Sequence, residues 1–337
     1  METERKTKEL AELHFHLGQA VEPHILWSIA HEQGIKLPSK DYWEFHDLLT
    51  LRKEGEITWD DYHKLFHWTE LIQSSPVAVE RSIYEVLSGA YRVNNITLIE
   101  LSFNPMFRNR GGERDLDHII LGALRGMERA LVEFPDLRAG LIFLLDRRLP
   151  FEQNAVIAKK ARKYRDRGIV GLDIAGPMGD GFKYEDYGRL YAEARENGLM
   201  TTVHTGEDGD AEEMKHVLSV LPLDRVNHGF RAYTSPELMA SIREKDLTLC
   251  LCPTSNMKVG FIKNGEHLRE VMRTLYDNGV KFCINTDNPS MLNTNLVKEL
   301  QLLREHEVLS EREIDQTLQW AFEAAFVPTE RGRNLYL

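Results

Sequence analysis

The chain lacks most of what marks an exported, membrane-bound or nucleic-acid-binding protein. It has three cysteines, Cys250, Cys252 and Cys283, too few and too bunched for a disulfide framework, so a reducing compartment is expected. The longest apolar run, near Leu141 to Leu145, falls far short of the roughly 18 residues a membrane helix needs. From Met1 to Leu10 the sequence is charged from Glu2 onward and has no apolar signal-peptide core. Basic charge is also short. Lys and Arg number 42 against 53 Asp and Glu, a net charge of −11, which leaves no broad positive field to hold a polyphosphate backbone. Nucleic-acid polymers and membranes are therefore disfavoured as partners, whereas nucleosides and bases are not. Internal repeats and low-complexity tracts are missing too, which excludes solenoids and flexible arrays. The expectation is a cytoplasmic protein with a small-molecule ligand; a homo-oligomer stays open.

What is present is an alternation of elements along 337 residues, 42% of them hydrophobic. Apolar or β-rich runs fall at Leu10–Leu17, Ile96–Phe103, Ala139–Leu145, Ile169–Ala175, Leu199–His204, Arg225–Gly229, Leu247–Cys252 and Val280–Asn285. Segments of helical period lie between them, among them Leu116–Phe134, Asn154–Arg167, Tyr184–Asn197, Glu212–Val220, Ser235–Lys245 and Glu266–Asn278. Several runs are apolar on both faces, as parallel strands covered by helices must be. The α/β class follows, and eight strand–helix pairs make a (β/α)8 TIM-type barrel the simplest closed arrangement, with an open doubly wound sheet as the alternative. One domain spanning 1–337 is expected. Residues 18–95 form a helix-rich insertion after the first strand, with Pro23, Pro38 and Pro76 as breaks. Thr58 with Asp61 reads as a helix start, and Tyr62, Leu65, Phe66 and Thr69 follow at helical spacing. A connection there emerges at the barrel's C-terminal mouth, so it serves either as peripheral packing or as a lid.

Barrel enzymes carry their working groups at the C-terminal ends of strands. The first strand ends in His14-Phe15-His16, whose two imidazoles share a face because strand side chains alternate. The fifth ends at His204, the sixth at His228 and the eighth at Asp287. Three imidazoles and a carboxylate suit zinc with an open position. The fourth strand, Val170 to Gly176, has no lysine to carboxylate as a bridge between two metals, so one ion per chain is expected. Glu207, three residues past His204, is either a solvated loop acid or the group that moves protons beside the metal.

Six segments in order resemble the adenosine deaminase family of the amidohydrolase superfamily: Glu12 to Leu17, Gly171 to Gly176, Thr202 to Glu207, Asn227 to Arg231, Cys252 to Asn256 and Asn285 to Pro289. The resemblance covers nearly the whole chain. It implies a zinc-dependent hydrolytic deaminase acting at C6 of an adenine ring, with His14, His16, His204 and Asp287 holding the ion. It further implies that Glu207 donates a proton to ring N1, that His228 orients the attacking water and helps take its proton, and that Asp287 shares that proton. Gly176 would offer its N–H to ring N3, Asn288 would face N7, and Tyr62 with Phe66 would belong to a hydrophobic gating helix.

The sequence departs from the family pattern at three places. The first motif continues Leu17-Gly18-Gln19-Ala20 where the family has Leu-Asp-Gly-Ala, the aspartate helping to bind a ribose 5′-hydroxyl. Either Gln19 takes over that hydrogen bond or the loss makes room for a different 5′ substituent. Asn288 replaces a second aspartate, and its amide donates without needing to be protonated. Ser102 stands where an arginine is common. Arg108, Arg110, Arg147 and Arg148 could meet an anionic substituent but read more simply as surface or helix-capping residues. Cys250 and Cys252 are assigned to packing. Within the class, adenine deaminase and a deaminase of 5′-modified nucleosides such as aminodeoxyfutalosine are the alternatives; outside it stands a catalytically silent nucleoside-binding relative.

Overall fold

Strands buried on both faces need a cover of helices, and the chain supplies it by alternation. A computed structural model describes residues 8–51, 62, 65–109 and 115–328; Thr58, Asp61 and Arg110 lie outside them. Eight strands run β1 (Leu10–His16), β2 (Ile96–Phe103), β3 (Arg138–Asp146), β4 (Ile169–Ala175), β5 (Met200–Thr205), β6 (Arg225–His228), β7 (Thr248–Leu251) and β8 (Phe282–Ile284). Each pairs in parallel with the next in sequence order. Beyond β8 the chain returns to β1: Phe15 bridges Asp287, His16 N–H donates to Asp287 O at 3.0 Å and Asp287 N–H donates to His14 O at 3.0 Å. This is a (β/α)8 barrel, as the alternation predicts, and its seam closes on two histidines and an aspartate.

The insertion contains α1 (Leu17–Ala20), α2 (Pro23–Glu32), α3 (Tyr42–Leu49), α4 (Phe66–Ile72) and α5 (Pro76–Asn94). Pro23 and Pro76 start helices rather than merely interrupting them, because a first-turn proline gives up no intrahelical hydrogen bond. The last of these helices belongs to the outer ring: α5 packs along α6 (Leu116–Glu133) so closely that a Cβ on Gly122 or Gly126 would stand 2.5 Å from Pro76 O or 2.3 Å from Glu80 O. The ring continues with α7 (Phe151–Lys163), α8 (Gly188–Glu196), α9 (Ala211–Val220) and α10 (Pro236–Glu244). A short α11 (Pro253–Lys258) follows β7, and α12 (Gly265–Asp277), α13 (Pro289–Leu292), α14 (Leu296–Glu305) and α15 (Glu311–Glu323) complete the order.

Inside the barrel, Leu13, Leu98, Ile142, Val170, Cys250 and Cys283 form an apolar layer, closed below by Ala321 and Val327. The free thiols of Cys250 and Cys283 pack here, as expected for small buried hydrophobes. Next to the layer, Arg225 on β6 pairs with Glu100 on β2 at 2.7 Å, both side chains fully buried. Arg225 also donates to Leu13 O and Ala324 O, each at 3.1 Å, and its guanidinium lies over the Phe326 ring. One end of the barrel is therefore plugged, which leaves the other for chemistry. Among the described residues no helix is long and apolar enough to cross a membrane.

Candidate active site and metal centre

At the open end, strand alternation turns Phe15 into the outer core and points His14 and His16 inward together. His14 Nε2 lies 3.2 Å from His16 Nε2 and 3.0 Å from His204 Nε2, and the last two are 3.1 Å apart. Asp287 Oδ1 is 3.4 Å from His14 Nε2 and 3.2 Å from His16 Nε2. Four ligands about 2.05 Å from one tetrahedral centre would stand about 3.3 Å from each other, so the donor atoms fit a zinc-sized ion. His228 joins a looser group with His14, His204 and Asp287, whose donor atoms lie within 4.8 Å of each other. His16 Nε2 lies closer to the other donor atoms than that limit, and His228 Nε2 faces Glu207 Oε2 at 3.3 Å.

Polar neighbours fix these rings. His204 Nδ1 donates to Asp173 on β4, 3.0 Å from Oδ2, which leaves its Nε2 lone pair facing the cluster, the arrangement that orients metal-binding histidines. Asn227 Nδ2 donates to the same carboxylate at 3.1 Å. From the turn into α11, Cys252 Sγ meets His14 Nδ1 at 3.4 Å, Ser255 Oγ donates to Asp287 Oδ2 at 2.6 Å, and Asn256 Nδ2 approaches His228 Nδ1 at 3.0 Å. Asp173, Ser255 and Asn256 lie within the motif segments, which by themselves assign them no role. Their signal was the spacing: 252, 255 and 256 fall on one face of a helical turn. Cys252 packs as expected and also touches a candidate ligand.

Burial sets the charge states. Glu207 is 7% exposed, and burial, reinforced by the charges of Asp287 and Asp208 against the pull of Arg147, holds its carboxyl well above the usual carboxylate range. Burial, with the charge of His14, holds His228 well below the usual imidazole value. Burial opposes ionisation of Asp287 too, but hydrogen bonds from His14 and His16 overcome it and keep the group anionic. An undissociated acid thus stands beside a neutral imidazole and a fixed carboxylate, the pairing that proton transfer requires. His228 (φ 61°) and Asp287 (φ 63°) both occupy the left-handed region, a strained conformation found disproportionately at functional sites.

These residues open on a cavity of about 290 Å³. Its wall includes Gly176, whose φ of 87° and whose Cβ position, 2.6 Å from Asp146 Oδ2, admit only glycine. Asn288 lines it and donates Nδ2 to Tyr62 Oη at 2.8 Å, while its Oδ1 is buried without a partner. Tyr62 and Phe66 stack edge to face at 5.4 Å across the mouth. Gln19 also lines the cavity, yet its Nε2 donates to Thr69 Oγ1 at 2.9 Å and so ties α1 to α4. Ser102 donates to Phe15 O at 3.2 Å. The arginines correct the sequence reading: Arg108 and Arg147 are buried and line the cavity rather than standing on the surface. Arg147 donates to Gly176 O at 2.8 Å and to His204 O, tying two strand ends together. Arg148 grips Asp146 with two nitrogens, and Arg108 pairs with Glu70 at 3.0 Å. Glu70 escaped the sequence reading, since it carries no motif.

A (β/α)8 barrel with imidazoles and a carboxylate gathered at its strand ends defines an amidohydrolase-type hydrolase. The adenosine deaminase family model matches residues 9–336, and the chain belongs to that family; it is a hydrolytic deaminase acting on a C–N bond. An adenosine deaminase of Vibrio vulnificus is 30% identical over 304 residues, 90% of this chain and 89% of that one. Two solved structures share the fold. An adenine deaminase of Arthrobacter aurescens has a TM-score of 0.84 at 20% identity, covering 98% of this chain and 97% of its own. An amidohydrolase of Burkholderia ambifaria with bound Zn has a TM-score of 0.83 at 22% identity, covering 97% and 91%.

Proposed function

We propose that the chain is a cytoplasmic enzyme that replaces the C6 amino group of an adenine ring in a purine nucleoside with oxygen from water, releasing ammonia. The observation that carries this reading is the pairing of a protonated Glu207 with a neutral His228 beside the His14–His16–His204–Asp287 cluster. A single zinc ion held by those four residues would supply the Lewis acidity that makes water nucleophilic at neutral pH. The Zn-bound Burkholderia amidohydrolase supports that choice of ion.

The chain's own groups do the rest. Glu207 donates its proton to ring N1, which draws electrons from C6 and opens it to attack. His228 orients the incoming water and takes a proton from it, and Asp287 shares that proton before it passes to the departing amine. The base role calls for His228 protonated at Nδ1. Turning the Asn256 amide over lets its Oδ1 accept the Nδ1–H, at the cost of the bond from Nδ2 to Cys252 O at 3.2 Å. Turning Asn288 likewise gives Oδ1 the Tyr62 hydroxyl and frees Nδ2 for N7. Gly176 offers its N–H to N3. Tyr62 and Phe66 on the 18–95 insertion act as a lid that keeps Glu207 dry, hence protonated. The resemblance to an adenine deaminase keeps the free base as a second reading.

The test is metal analysis joined to turnover of adenosine, methylthioadenosine and adenine by zinc-loaded protein. About one zinc per chain, with loss of adenine absorbance that disappears in Glu207→Ala while the metal stays, is the expected result. A metal-free native protein inactive on all three would instead favour a silent nucleoside-binding relative.

A further inference from the structure

Gly18 leaves a space beside His16, and the fold fills it with a charge pair from elsewhere. A Cβ at Gly18 would lie 3.1 Å from Glu70 Oε1 and 3.1 Å from Arg108 Nη2. Arg108, 1% exposed, donates to Glu70 Oε1 at 3.0 Å, so one carboxylate oxygen is fixed. The other, Oε2, is buried without a hydrogen-bond partner although Glu70 lines the cavity. A buried acceptor left unmet is costly, a cost that a donor on the ligand removes. Gln19 does not supply that donor, because its amide is engaged by Thr69.

We propose that Glu70 reads the sugar: its free oxygen accepts a hydrogen bond from the primary hydroxyl of the substrate, which makes the preferred substrate a nucleoside with an unblocked 5′-hydroxyl. This rests on the nucleoside reading above, in which C6 faces the histidine cluster and the sugar points away from it. The charges nearby support a neutral group over a phosphate. Arg108 is neutralised by Glu70, Arg148 is held by two bonds to Asp146, and Arg147 is committed to Gly176 O and His204 O. A phosphate would meet the bare carboxylate oxygen with no uncommitted arginine among these to offset it. Glu70, which comes from the insertion, thus stands where the first motif lacks its aspartate.

The experiment compares kcat/KM for adenosine, 5′-deoxyadenosine, adenosine 5′-monophosphate and adenine on zinc-loaded protein. A hydrogen bond to a charged acceptor predicts an adenosine advantage over 5′-deoxyadenosine of about 10- to 100-fold, with the monophosphate and the base poorer than adenosine. In Glu70→Gln that advantage shrinks. In the double variant Glu70→Leu/Arg108→Met, which leaves no lone buried charge, it falls to about threefold or less. The ratio between two substrates is blind to a general loss of folded protein, so a purely structural role would not move it. Equal wild-type rates with and without the hydroxyl, an unchanged ratio in the variants, or a preference for the monophosphate or the base overturns the Glu70 assignment and leaves the deaminase reading standing. Failure of the wild type on all four substrates overturns both.

Discussion

Glu207 and His16 carry the sharpest consequences of the site's geometry. Because burial and neighbouring acids raise the Glu207 carboxyl, its acid form persists above the pH at which an exposed glutamate would have ionised. If that form donates to the ring, kcat/KM falls as pH rises through the folded-state pKa and is retained below it on account of this group. Glu207→Gln should lower kcat by about 10²–10⁴ and abolish this alkaline limb; a pH profile of the variant that keeps the limb would assign it elsewhere. His16→Ala removes one corner of the four-donor cluster, so zinc content and activity should fall together, checked by elemental analysis of the purified variant beside its turnover. Full activity would strike His16 from the ligand set. The imidazoles were legible in the sequence because each ends a strand. Glu70 was not: its partner Arg108 lies 38 residues away, and nothing local marks either as half of a pair.

Strands announced themselves more faithfully than the contacts between helices. Ile96–Phe103 and Ile169–Ala175 match β2 and β4 residue for residue, because both are buried on two faces and leave no polar edge to blur their ends. The last apolar run, Val280–Asn285, shrinks to Phe282–Ile284 because the chain past Ile284 bends to reach β1. The insertion's role as one connection was legible, but α5 also serves as a ring helix, a distinction that depends on packing against α6. That packing makes its own prediction. A methyl group at Gly126 would press against the Glu80 carbonyl, part of a rigid backbone, so Gly126→Ala should destabilise the fold by about 1–3 kcal/mol with kcat little changed in the surviving enzyme. Urea titration compared with turnover separates the two effects; a neutral substitution would mean that α5 and α6 slide apart easily.

The whole molecule divides its labour between two ends. Glu100 and Arg225 sit where no ligand reaches, and removing one leaves the other as a lone buried charge. Arg225→Met should therefore cost about 3–5 kcal/mol, and Glu100→Leu/Arg225→Met distinctly less, as chemical denaturation of the two would show. A larger loss in the double variant would mean that the bonds Glu100 accepts from the Phe326 and Val327 N–H groups matter more than the charge left behind. None of this was visible in the sequence, since an acid and a base 125 positions apart on separate strands share no periodicity.

At the opposite end, the hoop of strands is buckled by the same residues that gather the donor atoms. His14, His16 and Asp287 contribute main-chain bonds to the closure and side chains to the cluster. An ion clasped there would act as a rivet across the first and last staves, and its withdrawal would loosen the circle at that joint. Catalytic competence and the circularity of the scaffold would then be gained, and lost, in a single event.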